Sequence, residues 1–319
     1  MGSRKFEPRG VIPACLMPFN ADMSIDEPGY RAHLKDIASV AGISGITING
    51  HAAEVHALTI EEQKRAVVVT KDVLQSDVAT IVGICTESSL EAGRLAAYAH
   101  KEGADGLLVF PPNFMALGGD RRPEMIAEHL RHITEASDLP VILFQFPVAS
   151  QLSYPLETLL DLCRRFPTIR AVKDQIGDGN RHEQQIRELH ALDRPVNTLT
   201  THSAWLLGSL AMGCDGLLSG AGSVIADLQV ALFNAVQAGD LKAAQAVNDR
   251  IYPTVRAFYD APLLDMHNRM KEALVLLGRM KEAHVRPPLM KPTATEIDKI
   301  GRMMHLAGLT PENVYRYAA

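Results

Sequence analysis

The first two thirds of the chain contain eight short apolar runs, and their regular recurrence restricts the fold more than any other feature. The runs lie at residues 11–18, 45–48, 79–85, 106–110, 141–146, 169–172, 196–199 and 216–218. They are rich in Val, Ile and Leu without polar alternation, which is typical of parallel strands buried on both faces. Because they recur at roughly 20 to 35 residues, the spacing of strand–helix units, we predict an α/β fold that closes as a (β/α)8 TIM barrel.

The segments between these runs have the periodicity of helices. Apolar-face positions recur at i, i+3, i+4 and i+7 in three sets: Ala92, Leu95, Ala96 and Ala99; Ile126, His129, Leu130 and Ile133; Leu156, Leu159, Leu160 and Cys163. Start signals precede some of them: Thr59 with Glu62 and Ser88 with Glu91 have capping-box spacing, and Ser153 with Pro155 predicts an N-cap followed by proline in the first turn. Helices therefore alternate with the predicted strands.

The strand signals stop after about residue 239. Residues 240–259, 262–280 and 295–307 are predicted as helices, and no Gly/Ser-rich linker separates them from the barrel. We therefore predict that residues 1–238 form the barrel that carries the active site. Residues 239–319 are predicted as a C-terminal helical region packed on the barrel, with a small second domain as the alternative.

Composition excludes several classes of partner. The sequence indicates no basic or aromatic surface for binding nucleic acid, since its formal net charge is -5, it has no dense Lys/Arg run and only 5% of its residues are aromatic. No apolar run approaches the ~18 to 20 residues of a membrane span, and the polar N-terminus lacks the apolar core of a signal peptide. The four cysteines lie far apart without a CxxC pair. We expect a cytoplasmic protein with no nucleic-acid partner and no membrane partner.

Lys173 is the strongest candidate for a catalytic residue, because it directly follows the run 169–172 and so lies at the carboxyl end of a predicted strand. Active sites of barrels of this kind lie at that end of the strands. Burial disfavours the ammonium form, lowers the pKa and makes the amine a nucleophile for ketones. The iminium that results is an electron sink. The alternative is an ion pair with Asp174 or another carboxylate at the barrel rim.

Motifs spread in order over the chain support this interpretation. They are Gly10-Val-Ile-Pro, Pro18-Phe-Asn, Ser24-Ile-Asp, Ala104-Asp-Gly with Pro111-Pro112, Asp138-Leu-Pro-Val-Ile-Leu, Val172-Lys-Asp, Gly213-Cys-Asp-Gly, Ala238-Gly-Asp-Leu and Arg286-Pro-Pro-Leu. Each is weak alone, but together they resemble the dihydrodipicolinate synthase and N-acetylneuraminate lyase superfamily. The resemblance implies a barrel with a helical C-terminal region, commonly a homotetramer, in which Lys173 forms a Schiff base with pyruvate or another 2-oxo acid.

The chain departs from this superfamily at the residues that move protons. The family's Gly-Thr-Thr-Gly-Glu loop appears here as Gly50-His-Ala-Ala-Glu54, and its Tyr-Asn-x-Pro run appears as Phe144-Gln-Phe-Pro147. A second family tyrosine matches Phe114. The hydroxyl relay of the family therefore has no hydroxyl at any of its three positions.

His51 is the expected replacement, since it takes the place of the relay threonine and imidazole titrates near neutral pH. The alternative role for His51 is to order its loop. A metal-dependent aldolase using His51, Glu54 and His56 is disfavoured. The two histidines do not share a helical face, and no Cys or carboxylate cluster completes a metal site. We expect neither a metal nor another cofactor, and we expect Glu54 to accept hydrogen bonds from amides of its own loop.

Other positions are expected to contact the substrate. The backbone amides of Ala52 and Ala53 match those that hold the substrate carboxylate in the family, and amide donors need no particular side chain. The remaining predicted substrate contacts are Phe114, Phe144, Gln145, His202, Ser219 and Gly220.

The function that follows is a lysine Schiff-base lyase for a 2-oxo acid, with Lys173 and His51 as catalytic residues. Aldol cleavage, dehydration and deamination share the same iminium, so the sequence leaves all three open. A divergent 4-hydroxy-tetrahydrodipicolinate synthase is the alternative, disfavoured because Ala149 stands where such enzymes usually carry an arginine that binds the aldehyde partner's carboxylate. A third hypothesis is a catalytically impaired barrel that only binds a 2-oxo acid.

Overall fold

The computed structural model describes residues 6–75 and 78–312, which form a barrel of eight parallel strands. The strands are β1 Gly10–Pro13, β2 Gly45–Ile48, β3 Ala79–Ile84, β4 Gly106–Val109, β5 Val141–Gln145, β6 Ile169–Asp174, β7 Asn197–Thr200 and β8 Gly216–Ser219. Each strand pairs with the next along the chain from β2 to β8, and β8 pairs with β1. Parallel bridges Val11–Ile43 and Ala14–Thr47 bring β1 alongside β2. The predicted TIM barrel is confirmed.

Helices follow the strands in alternation. Those of the barrel are α1 Glu27–Ala38, α2 Ile60–Leu74, α3 Ser89–Lys101, α4 Pro123–Ala136, α5 Leu156–Arg165, α6 Gly179–His190, α7 Leu206–Ala211 and α8 Gly222–Gln237. The C-terminal region adds α9 Leu241–Phe258, α10 Met266–Leu276 and α11 Ala294–Leu306. The segment 262–280, predicted as one helix, instead begins with a 3-10 turn at Leu263–Asp265 and ends as a helix at Leu276.

The predicted helix starts are confirmed at Thr59 and Ser88 but not at Ser153. Thr59 and Glu62 form a full capping box at α2, with each side chain bonded to the other residue's amide. Ser88 accepts a hydrogen bond from the amide of Glu91. The predicted N-cap at Ser153 is wrong, because the chain is still extended at Pro155 (φ -53°, ψ 144°) and α5 begins at Leu156 without a side-chain cap.

β6 is longer than the apolar run that predicted it. It continues through Lys173 to Asp174, because Lys173 pairs with Phe144 of β5 and with Leu199 of β7. Lys173 is therefore held on both sides by a buried parallel ladder rather than standing in a loop. Such a ladder restricts the backbone that carries the amine.

The C-terminal helices share the apolar core of the barrel. Val224 and Leu228 of α8 belong to the same buried cluster as Phe258, Met270 and Leu274 of the C-terminal region. The division into residues 1–238 and 239–319 stays a prediction, and residues 1–5 and 313–319 lie outside the described part of the chain. Among the described helices, none has both the length and the apolarity needed to cross a bilayer.

Candidate active site

Strand periodicity decides which side chains enter the barrel mouth. Phe144 of β5 and Lys173 of β6 are register partners, so both side chains lie on the same face of the sheet. The Nζ atom of Lys173 lies 3.9 Å from the centre of the Phe144 ring. Their successors, Gln145 and Asp174, are also partners and lie on the opposite face, toward the helices. An amine and an aromatic ring therefore lie side by side at the barrel mouth.

The Lys173 amine is buried and has no ionic partner among the described residues. Its side chain is 8% exposed, and it makes no salt bridge or hydrogen bond with another described residue. Asp174, the alternative partner, is bound on the other face by the amide of Ile176 at 2.7 Å and by Gln185 at 2.9 Å. Burial lowers the pKa of Lys173 from 10.5 to about 7. A large fraction of this amine is therefore neutral and nucleophilic at neutral pH.

His51 begins the 3-10 turn His51–Ala53 that follows β2. Its ring lies 4.8 Å from that of Phe110, 5.9 Å from that of Phe144 and 5.7 Å from that of Phe146, measured between ring centres. Burial, and then the charge of Lys173, lower the pKa of His51 to about 3. His51 is therefore a neutral imidazole surrounded by aromatic rings. Its ring nitrogens form no hydrogen bond with any described residue.

The amides of the same turn differ in availability. The amide of Ala53 donates to the carbonyl of Gly50 at 3.0 Å, so it is engaged within the turn. The amide of Ala52 has no acceptor among the described residues, and Ala52 lines the cavity beside Lys173. A carboxylate in this cavity can accept a hydrogen bond from Ala52 without breaking any existing contact.

Glu54 anchors this turn to the C-terminal region rather than to its own loop. It adopts a left-handed backbone conformation (φ 52°), its carboxylate is fully buried, and it forms an ion pair with Lys271 of α10. It also accepts a hydrogen bond from the amide of Arg286 at 3.0 Å. The expectation that it binds amides of its own loop is wrong, because both partners come from beyond residue 270.

The cavity at the barrel mouth has a volume of about 40 Å³. Its lining includes Thr47, Gly50, His51, Ala52, Leu108, Phe144, Lys173, Gln175, Thr201, Gly220, Tyr259, Met266 and His267. Of the predicted site residues, the structure thus brings together Lys173, His51, Ala52, Phe144 and Gly220. This is a small, mostly neutral space closed by residues from both parts of the chain.

Three other predicted contacts lie away from this cavity. The Gln145 side chain bonds to the backbone of Tyr154 at 2.9 Å through both its oxygen and its nitrogen. His202 accepts from the amide of Gly177 at 3.0 Å. Phe114 lies on the turn Asn113–Leu117 and is 47% exposed. Each of these side chains faces outward from the sheet or into solvent in this chain.

Ser219, the remaining predicted contact, belongs to a hydroxyl cluster at the rim. Its Oγ lies 3.0 Å from that of Ser203. The hydroxyl of Tyr259 lies close enough to both serine hydroxyls and to the amide of Ala221 for these groups to act on its pKa. Burial raises the pKa of Tyr259, so this phenol stays protonated. Ser219 therefore contacts a cavity-lining residue rather than the cavity.

One group of potential metal ligands lies behind β6, where ligand atoms of Asp174, His182 and His202 fall within 4.8 Å of one another. His182 already shares hydrogen bonds with Asp174 at 2.5 Å and with Ser209 at 2.6 Å. His202 is already bonded to Gly177. These donors satisfy one another, so the group is explained as a buried network that fixes the ends of β6 and β7. The absence of a metal stays a prediction.

Sequence reasoning missed the cavity residues that come from the C-terminal region, Tyr259, Met266 and His267. His267 lies close to Gly220, where an added Cβ would come 3.1 Å from its Nε2 atom. Burial, followed by the charges of His51 and Lys173, lowers the pKa of His267 to about 3. No strand-end signal marks these positions, since they sit at the ends of helices.

Comparison with known proteins agrees with this geometry. The family model described as the Dihydrodipicolinate synthetase family matches residues 7–306. The 4-hydroxy-tetrahydrodipicolinate synthase of Bartonella bacilliformis is 30% identical over 304 residues, covering 95% of this chain and 99% of the relative. The protein of the same name from Hyphomonas neptunium is 32% identical over 300 residues, covering 94% and 98%.

Solved structures share the fold. YagE, a prophage protein of the dihydrodipicolinic acid synthase family from E. coli K12 in complex with pyruvate, superposes with a TM-score of 0.87 at 23% identity, over 95% of this chain and 99% of that one. A dihydrodipicolinate synthase from Aquifex aeolicus gives 0.85 at 21% identity, over 96% and 100%. The chain belongs to the dihydrodipicolinate synthetase family, whose enzymes are of the class I type that acts through a lysine Schiff base.

Proposed function

We propose that this protein is a lyase that binds pyruvate or another 2-oxo acid as a Schiff base on Lys173. The observation that carries the proposal is the buried amine of Lys173, which has no ion-pair partner among the described residues and a pKa lowered to about 7. An amine in this state attacks a ketone without first losing a proton to a strong base. A lysine kept only for stability would be paired with a carboxylate.

The first step joins the Lys173 nitrogen to the keto carbon of the substrate. The carbonyl oxygen leaves as water with one proton from the Lys173 amine and one taken up from solvent, and the carbon–nitrogen double bond of the protonated iminium remains. The free amide of Ala52 is proposed to hold the substrate carboxylate, and the Phe144 ring covers one side of the amine at 3.9 Å. Both contacts orient the ketone without any charged side chain.

His51 is proposed to move the proton at the carbon next to the iminium. Its neutral imidazole is able to accept a proton, and the aromatic rings around it exclude water. A substrate carboxylate bound beside it raises its pKa from about 3 toward the useful range, since an opposite charge favours the imidazolium. The enamine that forms serves aldol cleavage, dehydration and deamination alike.

Trapping of the iminium tests this function. Incubation with pyruvate and borohydride, followed by peptide mass mapping, should give a reduced adduct on Lys173, and Lys173→Arg should give none. A panel of other 2-oxo acids extends the test to larger substrates. If no acid of the panel leaves an adduct on Lys173, the proposed function is wrong.

A second candidate is 4-hydroxy-tetrahydrodipicolinate synthase itself, which is the name of the relatives at 30 and 32% identity. Against it, Ala149 lies exposed on the turn Val148–Ser150 and supplies no guanidinium for a second carboxylate. Pyruvate consumption in the presence of aspartate semialdehyde distinguishes the two. A third candidate, a barrel that binds without catalysis, predicts an adduct but no exchange of pyruvate methyl protons in ²H₂O.

We also propose a homotetramer, as implied by the family resemblance. The turn Asn113–Leu117 exposes Phe114 by 47% and Leu117 by 92%, which is an apolar surface that a second subunit would cover. Native mass spectrometry tests this assembly, and a monomer at micromolar concentration would contradict it. A cytoplasmic location and the lack of nucleic-acid and membrane partners stay predictions.

A further inference from the structure

A second and larger cavity lies on the helix side of β5 and β6. It is lined by residues of three segments: 116–122 after β4, 151–156 at the start of α5, and 176–185, which runs from the end of β6 into α6. We call it the outer groove, and its volume is about 980 Å³. Pockets of roughly 300 to 1,000 Å³ hold small organic ligands in proteins. The outer groove is therefore large enough for a metabolite.

The ends of β5 and β6 separate the outer groove from the cavity of Lys173. Gln145 lines the outer groove, whereas its neighbour Phe144 lines the cavity of Lys173. Ile176 and its neighbour Gln175 are divided in the same way. Successive side chains of a strand point to opposite faces of the sheet, which explains the division at β5. A ligand in the outer groove thus lies apart from the Schiff-base site.

Two arginines of the outer groove lack a counter-charge. Arg121 belongs to the turn Gly119–Arg121 and Arg181 to the first turn of α6, and both line the groove. Neither guanidinium pairs with a carboxylate in the described part of the chain. Arg187, further along α6, instead pairs with Glu183 at 2.6 Å. Exposed arginines of this protein thus find partners elsewhere on the same helix but not at the groove.

The outer groove is positively charged, although the formal net charge of the protein is -5. Its lining contains three arginines and, among the described carboxylates, only that of Asp120. The third arginine, Arg122, pairs with Glu124 next to the groove. Positive charge remains in excess even when Glu124 is counted. Because a guanidinium matches carboxylate and phosphate groups with paired hydrogen bonds, the groove favours an anion.

A buried phenol in the same groove lacks a hydrogen-bond partner. Tyr154 lines the groove and is 6% exposed, and its hydroxyl bonds to no described residue. Burial raises the pKa of Tyr154, so the hydroxyl keeps its proton and is able to donate it. Tyr30, a tyrosine of the core, instead shares a hydrogen bond with Thr70 at 2.9 Å. Since buried polar groups are nearly always satisfied, the unpartnered donor indicates an acceptor from a ligand.

Hydrogen bonds from β5 and β6 fix this phenol in place. Gln145 binds the backbone of Tyr154 at 2.9 Å through both its oxygen and its nitrogen. The same nitrogen donates to Gln185 at 3.3 Å, and Gln185 donates to Asp174 at 2.9 Å. This part of the groove is therefore already formed without a ligand, which lowers the entropic cost of binding.

We propose that the outer groove is a second ligand site, which binds a small organic anion through the guanidinium groups of Arg121 and Arg181 and the hydroxyl of Tyr154. The ligand carries a carboxylate or a phosphate group, because both accept the paired donors of a guanidinium. The inference does not rest on the proposed function, since none of its residues lines the cavity of Lys173.

Isothermal titration calorimetry with citrate and with glycerol 3-phosphate tests the proposal and distinguishes a carboxylate from a phosphate ligand. Glycerol is the uncharged control. We expect the wild type to bind at least one anion, and Arg121→Gln with Arg181→Gln to bind it at least ~10-fold more weakly, since two charge-assisted contacts are lost. Arg164→Gln with Arg302→Gln removes the same charge at exposed arginines outside the groove and should bind like the wild type.

Tyr154→Phe separates a ligand contact from a purely structural role. It keeps the buried ring and removes only the hydroxyl, so the variant without ligand should unfold at a temperature no lower than the wild type. Its affinity for the anion should fall about 10-fold, the usual worth of a hydrogen bond to a charged group. The anion should accordingly raise its unfolding temperature less than that of the wild type. Unchanged affinity in Tyr154→Phe would contradict the proposal.

The calorimetry has three further results that overturn the inference. They are no binding of either anion by the wild type at millimolar concentration, unchanged affinity in the variant at Arg121 and Arg181, and an equal loss of affinity in the two double variants. The last result would mean that the anion responds only to net charge. The borohydride adduct on Lys173 is measured separately, so failure of this inference and failure of the proposed function are distinguishable.

Discussion

The carboxylate of Glu54, at the end of the turn that carries His51, is ion-paired with the amine of Lys271 inside the protein, and neither side chain has any exposed surface. Removing two charges from water is costly, and only their mutual attraction and further hydrogen bonds offset that cost. Here the carbonyl of His284 and the amide of Arg286 supply those bonds. The barrel and the C-terminal region are thus joined by a contact in which loss of either partner leaves the other charge buried and unpaired.

Glu54→Gln should therefore lower the free energy of unfolding by about 3 to 5 kcal/mol, because it leaves Lys271 buried without a counter-charge. The double variant Glu54→Gln with Lys271→Met should recover most of the loss. Urea unfolding measures both. The exposed pair Lys64–Glu61 is the control, and breaking it should cost less than about 1 kcal/mol. A double variant no more stable than Glu54→Gln would show that the charge is not the cause.

Lys173 should reduce stability at neutral pH, as a nucleophile kept in a buried site does. Since burial lowers its pKa from 10.5 to about 7, the folded protein binds fewer protons than the unfolded chain between these pH values. The destabilisation of the fold by the buried Lys173 amine is thus fully present below pH 7, and it disappears as the pH rises toward 10.5. Lys173→Met should raise the free energy of unfolding at pH 7 by a few kcal/mol, at about 1.4 kcal/mol per pKa unit.

Urea unfolding at pH 7 and at pH 9 tests this sign. The gain from Lys173→Met should shrink at the higher pH, whereas Lys281→Met, at an exposed lysine, should show no such trend. Equal stability of Lys173→Met and wild type at both pH values would mean that burial does not penalise the amine. The same titration should appear in catalysis, with the rate of adduct formation rising through about pH 7.

The barrel and its lysine were predictable because buried parallel strands leave a direct trace in sequence. Short apolar runs of regular spacing define the strands, and the residue that ends such a run lies at the barrel mouth. Strand alternation also explains why the predicted contact at Gln145 is absent from the cavity. Gln145 follows Phe144 and Asp174 follows Lys173, so strand alternation alone places Gln145 on the face opposite the amine.

The contribution of the C-terminal region could not be predicted. Tyr259 follows the last residue of α9 and His267 is the second residue of α10, so neither has a strand register that indicates a direction. Their approach to Lys173 depends on how the last helices pack against α8 and on the buried pair of Glu54 and Lys271. Long-range packing of this kind leaves no local pattern.

His51→Ala should abolish exchange of pyruvate methyl protons in ²H₂O while leaving the borohydride adduct on Lys173. The imidazole is the predicted base for that proton, and the loss should be ~10²- to 10⁴-fold. Proton NMR of the pyruvate methyl signal measures the exchange. His56→Ala, at an exposed histidine of the same loop, should exchange normally. Exchange at the wild-type rate in His51→Ala would remove this histidine from the mechanism.

Gly220→Ala tests whether the space beside His267 is functional. The added methyl group would lie 3.1 Å from Nε2 of His267, so the ring must move by a few tenths of an ångström. Because a small displacement at the wall of the cavity misplaces a bound ketone, we expect the rate of adduct formation between Lys173 and pyruvate to fall at least ~10-fold. Gly179→Ala is the matched control, since an added Cβ there meets nothing within 4 Å. Equal rates of adduct formation for the two variants would show that the space beside His267 does not affect the site.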